Sequence, residues 1–242
     1  MKLGIISDIH SNVEALKEVL AALERENCDK IICAGDVVGY GASPRICIDI
    51  LRECRILCVR GNHDDLVLNP HKRASQKPAV RQVIQWTHNV LPDTCRRWLA
   101  SLPDRIMYGQ IEIVHASHVF HPDWQYIVNH PTLVISLLFQ SSAVSFNGHT
   151  HLPLMASHER GKRPSLNWLS STSLVAEKKY LINVGSVGQP RDLNPKAAFV
   201  TYETTNRTLR LHRVTYDWSL AQSRIREAGL PSLFADRLDK GQ

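Results

Sequence analysis

The feature that most constrains this chain is a short apolar run, Ile31-Ile32-Cys33-Ala34, which stops at Gly35 and delivers one carboxylate, Asp36. An unbroken apolar run of this length, bounded by a glycine, predicts a strand buried on both faces. In open parallel α/β sheets the reactive side chains sit just beyond the carboxyl ends of such strands. Four other segments repeat the pattern. A strand over 2–7 ends at Asp8-Ile9-His10, and one over 56–59 runs into Gly61-Asn62-His63-Asp64. A strand over 111–114 leads to His115, and one over 143–146 ends at Asn147-Gly148-His149-Thr150-His151.

Between these strands the periodicity switches to that of helices. Val13, Leu16, Leu20 and Leu23 share one helical face, with Asn12 as the N-cap. Ser43-Pro44 opens a second helix that runs to about Cys54. Residues 65–103 are predicted helical, with one helix opened by Pro78 and a break at Leu91-Pro92-Asp93. A β-hairpin turns at Gly109-Gln110. Residues 116–131, with His118, His121 and His130, are expected to form an irregular insertion carrying these histidines as surface residues, and a helix follows over 132–140. Beyond residue 151 five strands are expected, over 154–158, 165–169, 180–183, 198–202 and 209–214. A glycine loop, NVGSVGQPRD (183–192), interrupts them, and a last helix over 217–228 stops at Gly229. The layout is that of a parallel α/β core.

Composition bounds this reading. With 242 residues, 43% of them hydrophobic and 21% charged, the chain can build one sizeable core. No linker or repeat divides it, so residues 1–242 are expected to be a single domain. The N-terminus reads as a strand rather than a signal peptide, and no apolar run approaches the roughly 18 residues of a membrane span. Six cysteines without CxxC spacing read as free thiols of a reducing, cytoplasmic compartment. The net charge of +6 points to an anionic partner. Its lysines and arginines are scattered and no nucleic-acid-binding motif accompanies them, so a small phosphorylated substrate or a solvated basic surface fits that charge.

The strand-end residues Asp8, His10, Asp36, Asn62, His63, His115, His149 and His151 form an oxygen and nitrogen donor set without thiolate. Such a set suits Mn²⁺, Fe, Ni²⁺ or Zn²⁺, with Mn²⁺ preferred, over the all-oxygen shells of Mg²⁺ and Ca²⁺. It holds more ligands than one ion needs, so two divalent ions bridged by a carboxylate are expected. Taken singly, each motif has a plainer explanation: a turn, a core histidine, a surface pair. Their joint occurrence, each after a strand, does not.

The order SDIH (7–10), GD (35–36), GNHD (61–64), His115 and GHTH (148–151) resembles the calcineurin-like metallophosphoesterases. GDVVGYG, NVGSVGQPRD and the tail AGLP…RL (228–238) are similar to the diadenosine tetraphosphatase-like branch of bacteria and archaea. The resemblance implies a four-layer α/β/β/α sandwich with a dinuclear site at the strand ends. It implies that Asp8, His10 and His151 hold one metal and Asn62, His115 and His149 the other, with Asp36 bridging. It makes His63 a catalytic, non-ligand histidine and Asp64 its orienting partner. Asn62, His149 and Arg191 are expected at the substrate. Tyr40 could stack on a nucleobase, but packing is the better expectation.

The implied chemistry is hydrolysis of a phosphodiester or dinucleoside polyphosphate by a hydroxide held between the ions, with His63 as general acid. Serine/threonine protein phosphatase activity is an alternative, disfavoured because Gly39-Tyr40-Gly41 stands where that branch carries an Asp-Arg pair. A non-catalytic scaffold on the same fold would not need the ligand set and His63, which are all present. A nuclease would need a basic groove, which the scattered charge does not predict.

Overall fold

The protein is described by a computed structural model covering residues 1–118 and 124–242; His121 lies outside the described residues. The elements in order are β1 (Lys2–Ile6), α1 (Val13–Arg25), β2 (Lys30–Cys33), α2 (Pro44–Glu53), β3 (Leu57–Cys58), α3 (Asn62–Leu68), α4 (Pro70–Arg73), α5 (Pro78–Val90) and α6 (Asp93–Ser101). The chain continues through β4 (Arg105–Tyr108), β5 (Ile111–Val114), α7 (His130–Phe139), β6 (Val144–Asn147), β7 (Pro153–Glu159) and β8 (Ser165–Trp168). It ends with β9 (Thr172–Ser173), β10 (Lys178–Val184), β11 (Ala197–Glu203), β12 (Thr208–Val214), α8 (Trp218–Glu227) and a short 3-10 helix (Ser232–Phe234).

Among the described residues the strands form two six-stranded sheets, ordered β3-β2-β1-β11-β12-β9 and β4-β5-β6-β10-β7-β8. Strands β1, β2 and β3 are parallel, as are β5, β6 and β10, so five ligand-bearing loops leave from carboxyl ends. The sheets are mixed rather than wholly parallel: β11 joins β1, and β7 joins β10, in antiparallel register.

Period-two alternation explains the layers. On β2 and its exit, Ile32 and Ala34 point between the sheets and meet Ile113, Phe146, Ile182 and Val184 of the second sheet. Cys33 points the other way, into a cluster with Leu16, Ile48, Ile84, Leu99 and Ile225 from five helices. On the far side, Leu133 and Leu137 of α7 cover Ala156 and Leu181. The result is the expected α/β/β/α sandwich. Asn12 caps α1 through a bond from the Ala15 N–H to its Oδ1 (3.1 Å), and its amide also ties α1 to the Gly188 carbonyl (2.9 Å).

Two expectations need correction. The predicted strand over 56–59 is only two residues long, because α3 begins at once and places Asn62, His63 and Asp64 in its first turn. His118 is buried rather than on the surface. Its ring bonds the Ser136 and Ser145 hydroxyls at 2.7 and 3.0 Å, and Glu112 lies 3.7 Å away. His130 is exposed, as expected.

Candidate metal centre

Asp8, His10, Asp36, His149 and His151 all adopt left-handed backbone, with φ between 48° and 70°. Non-glycine residues rarely do so, although Asp and His tolerate it better than most. The cost, roughly 1–3 kcal/mol each, persists only where the surroundings hold the conformation. Here the loops hold one another. Asp8 N–H donates to the Gly35 carbonyl and His10 N–H to the Asp36 carbonyl, both at 3.0 Å. Across the sheets, His149 N–H donates to the Asp8 carboxylate at 3.0 Å. That approach requires Gly148, where a Cβ would overlap both the Ser7 hydroxyl and the Asp8 carboxylate.

Side chains far apart in the chain thus converge. One triad is Asp8, His10 and His151, and another is Asp36, His115 and His149, with His10, Asp36 and His63 forming a third between them; in each, the donor atoms lie within 4.8 Å of one another. Asp36 Oδ2 lies 3.5 Å from His10 Nε2 and 3.3 Å from His115 Nε2, so one carboxylate faces both triads. Asn62 Oδ1 lies 3.0 Å from His115 Nε2 and completes the second group.

The ring tautomers are set from behind. His10, His115 and His151 each place Nδ1 on a backbone carbonyl, those of Val38 (3.1 Å), Ala34 (2.8 Å) and Gln189 (2.5 Å). With Nδ1–H donating there, the Nε2 atoms face the cluster, as lone pairs on the neutral rings of His10 and His151. His149 is the reverse, with Nε2 on the Trp124 carbonyl at 2.7 Å and Nδ1 left over. His10 Nε2 and His151 Nε2 are only 3.0 Å apart. Two opposed lone pairs at that separation repel unless a cation is shared between them, and this donor set is one a divalent transition metal takes.

The electrostatics agree. Burial pushes His149 down to about 3 and holds His10 and His151 well below the usual imidazole range, so these rings are neutral donors at pH 7. Burial would raise Asp36, but His115, His63 and His10 hold its carboxyl well below the usual range. Burial would also lower His115, but Asp36 raises it to about 9. Its proton then sits between Asp36 and Asn62, where a bound cation would displace it.

His63 lies beside this centre, its backbone N–H donating to Asp36 Oδ1 at 2.8 Å. Asp64 is not its orienting partner. The Asp64 carboxylate accepts from the N–H groups of Gly61 (2.9 Å), Val38 (3.1 Å) and Val37 (3.3 Å). As the third residue of α3 it reaches back to the start of its own helix, which an aspartate at that position does readily. The His63 ring instead packs on Tyr40 (4.4 Å between centroids) and edge-on to His10 (4.7 Å), and its Nδ1 is buried without a partner. Burial lowers His63 to about 4, so the ring is neutral at pH 7 until an anion arrives beside it.

Tyr40 is buried between His10, His63 and Phe234, which agrees with packing rather than base stacking. Arg191 reaches the centre from the glycine loop. Its guanidinium bonds Tyr40 Oη (3.2 Å) and Gln189 Oε1 (3.3 Å), both neutral, and its charge bears on His10, His63 and His151.

Sequence reasoning missed the carbonyls of Ala34, Val38, Trp124 and Gln189, because backbone acceptors leave no mark in residue type. It also missed Tyr126, whose ring stacks on His149 at 4.1 Å and 18°.

A sequence profile for the calcineurin-like phosphoesterase superfamily domain matches residues 1–207. An uncharacterised protein of Methanocaldococcus jannaschii is 35% identical over 244 residues, spanning 99% of this chain and 98% of that one. A metallophosphoesterase structure from Sphaerobacter thermophilus is 34% identical, with a TM-score of 0.84 over 100% of this chain and 99% of its own. A putative diadenosine tetraphosphatase shares the fold at 15% identity and a TM-score of 0.54, covering 88% of this chain and 94% of that one.

Proposed function

The chain belongs to the calcineurin-like phosphoesterase superfamily, and on that footing we propose that it is a two-metal hydrolase of phosphate esters or anhydrides, working as one domain over its 242 residues. The observation that carries this reading is two buried donor groups, Asp8–His10–His151 and Asn62–His115–His149, with the Asp36 carboxylate reaching both His10 and His115. Asp8, His10 and His151 would hold one divalent cation, and Asn62, His115 and His149 the other, with Asp36 shared. Mn²⁺ is the preferred occupant. Cations held there would neutralise phosphate charge and lower the pKa of a bound water.

The remaining work falls to the chain's own side chains. Arg191, whose guanidinium bonds the hydroxyls of Tyr40 and Tyr126 and the Gln189 amide oxygen among the described residues, binds a phosphate oxygen; a guanidinium suits that geometry. Asn62 and His149 flank the phosphoryl group. His63 donates the proton that the departing oxygen needs. Its Nδ1, buried without a partner among the described residues, is the atom that meets that oxygen. Asp64 acts indirectly, fixing the turn that presents Asn62 and His63. Phosphodiesters and dinucleoside polyphosphates are the preferred substrates, the second supported by the fold shared with a putative diadenosine tetraphosphatase.

The test is hydrolysis of bis-p-nitrophenyl phosphate by protein reconstituted with Mn²⁺, with metal counted by mass spectrometry. Two ions per chain and activity abolished by a chelator are expected. Fewer than one bound ion, and no turnover with Mn²⁺, Fe²⁺, Ni²⁺ or Zn²⁺, would remove the proposal and leave a scaffold.

A further inference from the structure

The ring of His63 is not aimed by a carboxylate. Its Nδ1 is buried and unpaired among the described residues, and the neighbouring Asp64 is taken up by the N–H groups of Gly61, Val37 and Val38. An imidazole turns about χ2 with only broad preferences, so a ring without such a bond is aimed by what it packs against. Two rings do this: Tyr40 lies 4.4 Å away at 57° between planes, and His10 lies 4.7 Å away at 78°. His10 is fixed by its own bond to the Val38 carbonyl, which leaves Tyr40 as the surface whose placement decides that of His63.

Tyr40 stands between Gly39 and Gly41 with φ of 52°, a left-handed backbone that an aromatic residue keeps only where its surroundings impose it. A Cβ on Gly39 would overlap the His63 ring, so the glycine permits the close approach of this loop to His63. Phe234, 1% exposed, packs on the Tyr40 ring at 4.8 Å. It comes from the segment after α8, which is pinned to two neighbours. Gln222 Nε2 of α8 donates to the Ala235 carbonyl at 3.0 Å, and the Leu193 N–H donates to the Gly241 carbonyl at 2.9 Å. Leu193 follows closely on Arg191, whose guanidinium donates to the Tyr40 hydroxyl at 3.2 Å. One segment therefore braces both the ring beside His63 and the loop that carries the arginine.

We infer that Tyr40 and Phe234 are positioning residues for His63: Phe234 wedges Tyr40 in place, and the Tyr40 ring sets the direction of the imidazole, a task that Asp64 does not perform. This rests on the phosphoesterase reading, in which His63 gives its proton to the departing oxygen. A reacting group must be held within about 0.5 Å of its productive place, so slack in Tyr40 costs proton transfer while the donors of the metal centre stay where they are. The two parts of Tyr40 act separately, the ring on the acid and the hydroxyl on Arg191.

The test uses Mn²⁺-loaded protein and phosphodiesters whose leaving groups run from p-nitrophenol to an alkyl alcohol, with bound metal counted in each variant. Phe234→Ala should keep its ions and KM but lose about tenfold or more in kcat on alkyl leaving groups, and much less on p-nitrophenol, the pattern of His63→Ala at smaller size. Phe234→Leu, which refills most of the space, should recover most of that loss. Tyr40→Phe keeps the ring and drops the hydroxyl, so KM should rise about threefold or more with the leaving-group pattern intact. Tyr40→Leu should add the selective loss in kcat. In metal-stripped protein the His63 ring protons, shifted by the Tyr40 ring current, should move toward free-histidine positions in Phe234→Ala and Tyr40→Leu but not in Tyr40→Phe. Losses equal across leaving groups, loss of metal from Phe234→Ala, or unmoved His63 resonances each overturn the inference. Should Phe234→Ala not fold, the two Tyr40 variants decide in the same terms. If the wild type hydrolyses no diester, the phosphoesterase reading falls, and the resonances alone decide whether Phe234 and Tyr40 hold the ring.

Discussion

Replacing Asp64 by Asn separates two roles for this residue. Its carboxylate accepts three buried backbone N–H groups, with Oδ1 on Val38 and Oδ2 on Val37 and Gly61. Asparagine keeps one oxygen and sets an NH₂ against at least one of those donors. A buried donor left without an acceptor costs about 1–3 kcal/mol, and at pH 8, above the value of about 7 to which burial raises Asp64, charge-assisted bonds that become neutral lose roughly half their strength. The sum is about 3 kcal/mol. For a chain of 242 residues, each kcal/mol moves Tm by about 2–4 °C, so a fall of about 6–12 °C is expected. Calorimetry should use metal-stripped protein, since ion binding would add its own stabilisation. Below its melting point the loaded variant should keep the wild-type dependence of rate on leaving group. A Tm within about 2 °C of wild type, with rates on poor leaving groups reduced to those of His63→Ala, would refute the helix-capping role and restore Asp64 as the partner of His63.

His63→Ala should retain two ions but lose about 10²–10⁴-fold in turnover on esters with poor leaving groups, and much less on nitrophenyl esters; equal losses on both would contradict an acid role. Asp36→Ala should lose both ions, measured by metal analysis, and full retention would contradict sharing. Gly148→Ala should cost about 1–3 kcal/mol in urea unfolding, because its Cβ overlaps Ser7 and Asp8, and an unchanged midpoint would mean that the loops separate freely. Stability of the metal-stripped protein should fall on both sides of neutrality. Burial lowers His63 and His118 to about 4 and His149 to about 3, so the unfolded chain takes up protons below about 6.5 that the folded one refuses, and stability falls with acid at up to about 1.4 kcal/mol per pH unit per group; Asp8 and Asp64, raised by burial to about 7, take up protons in the folded chain first and offset part of that fall. His115 is raised to about 9, so its contribution is whole below about 6.5 and is lost as pH rises through 9; a flat profile between pH 5 and 9 would contradict these shifts.

The sequence by itself determined the family, the candidate donor residues and most of the order of the elements. Apolar runs of strand length ending in Asp8, Asp36, Asn62, His115 and His149 are local signals, because strand burial and loop chemistry are written in consecutive residues. The insertion histidines show where local reading stops: whether His118 is a surface or a buried group depends on Ser136, Ser145 and Glu112, which approach from other elements. Only the tertiary structure decided which way each functional group points. The Asp64 carboxylate, next to His63 in the chain, was claimed by backbone N–H groups from its own helix cap and from the Asp36 loop. The ring tautomers depend on carbonyls of Ala34, Val38, Trp124 and Gln189, atoms that every residue carries and no residue type announces. The cleft beside Asn62 and His149 likewise exists only where α4 and the insertion after β5, some fifty residues apart in the chain, face each other. Side-chain chemistry is a property of the residue, whereas partners and direction are properties of the packing.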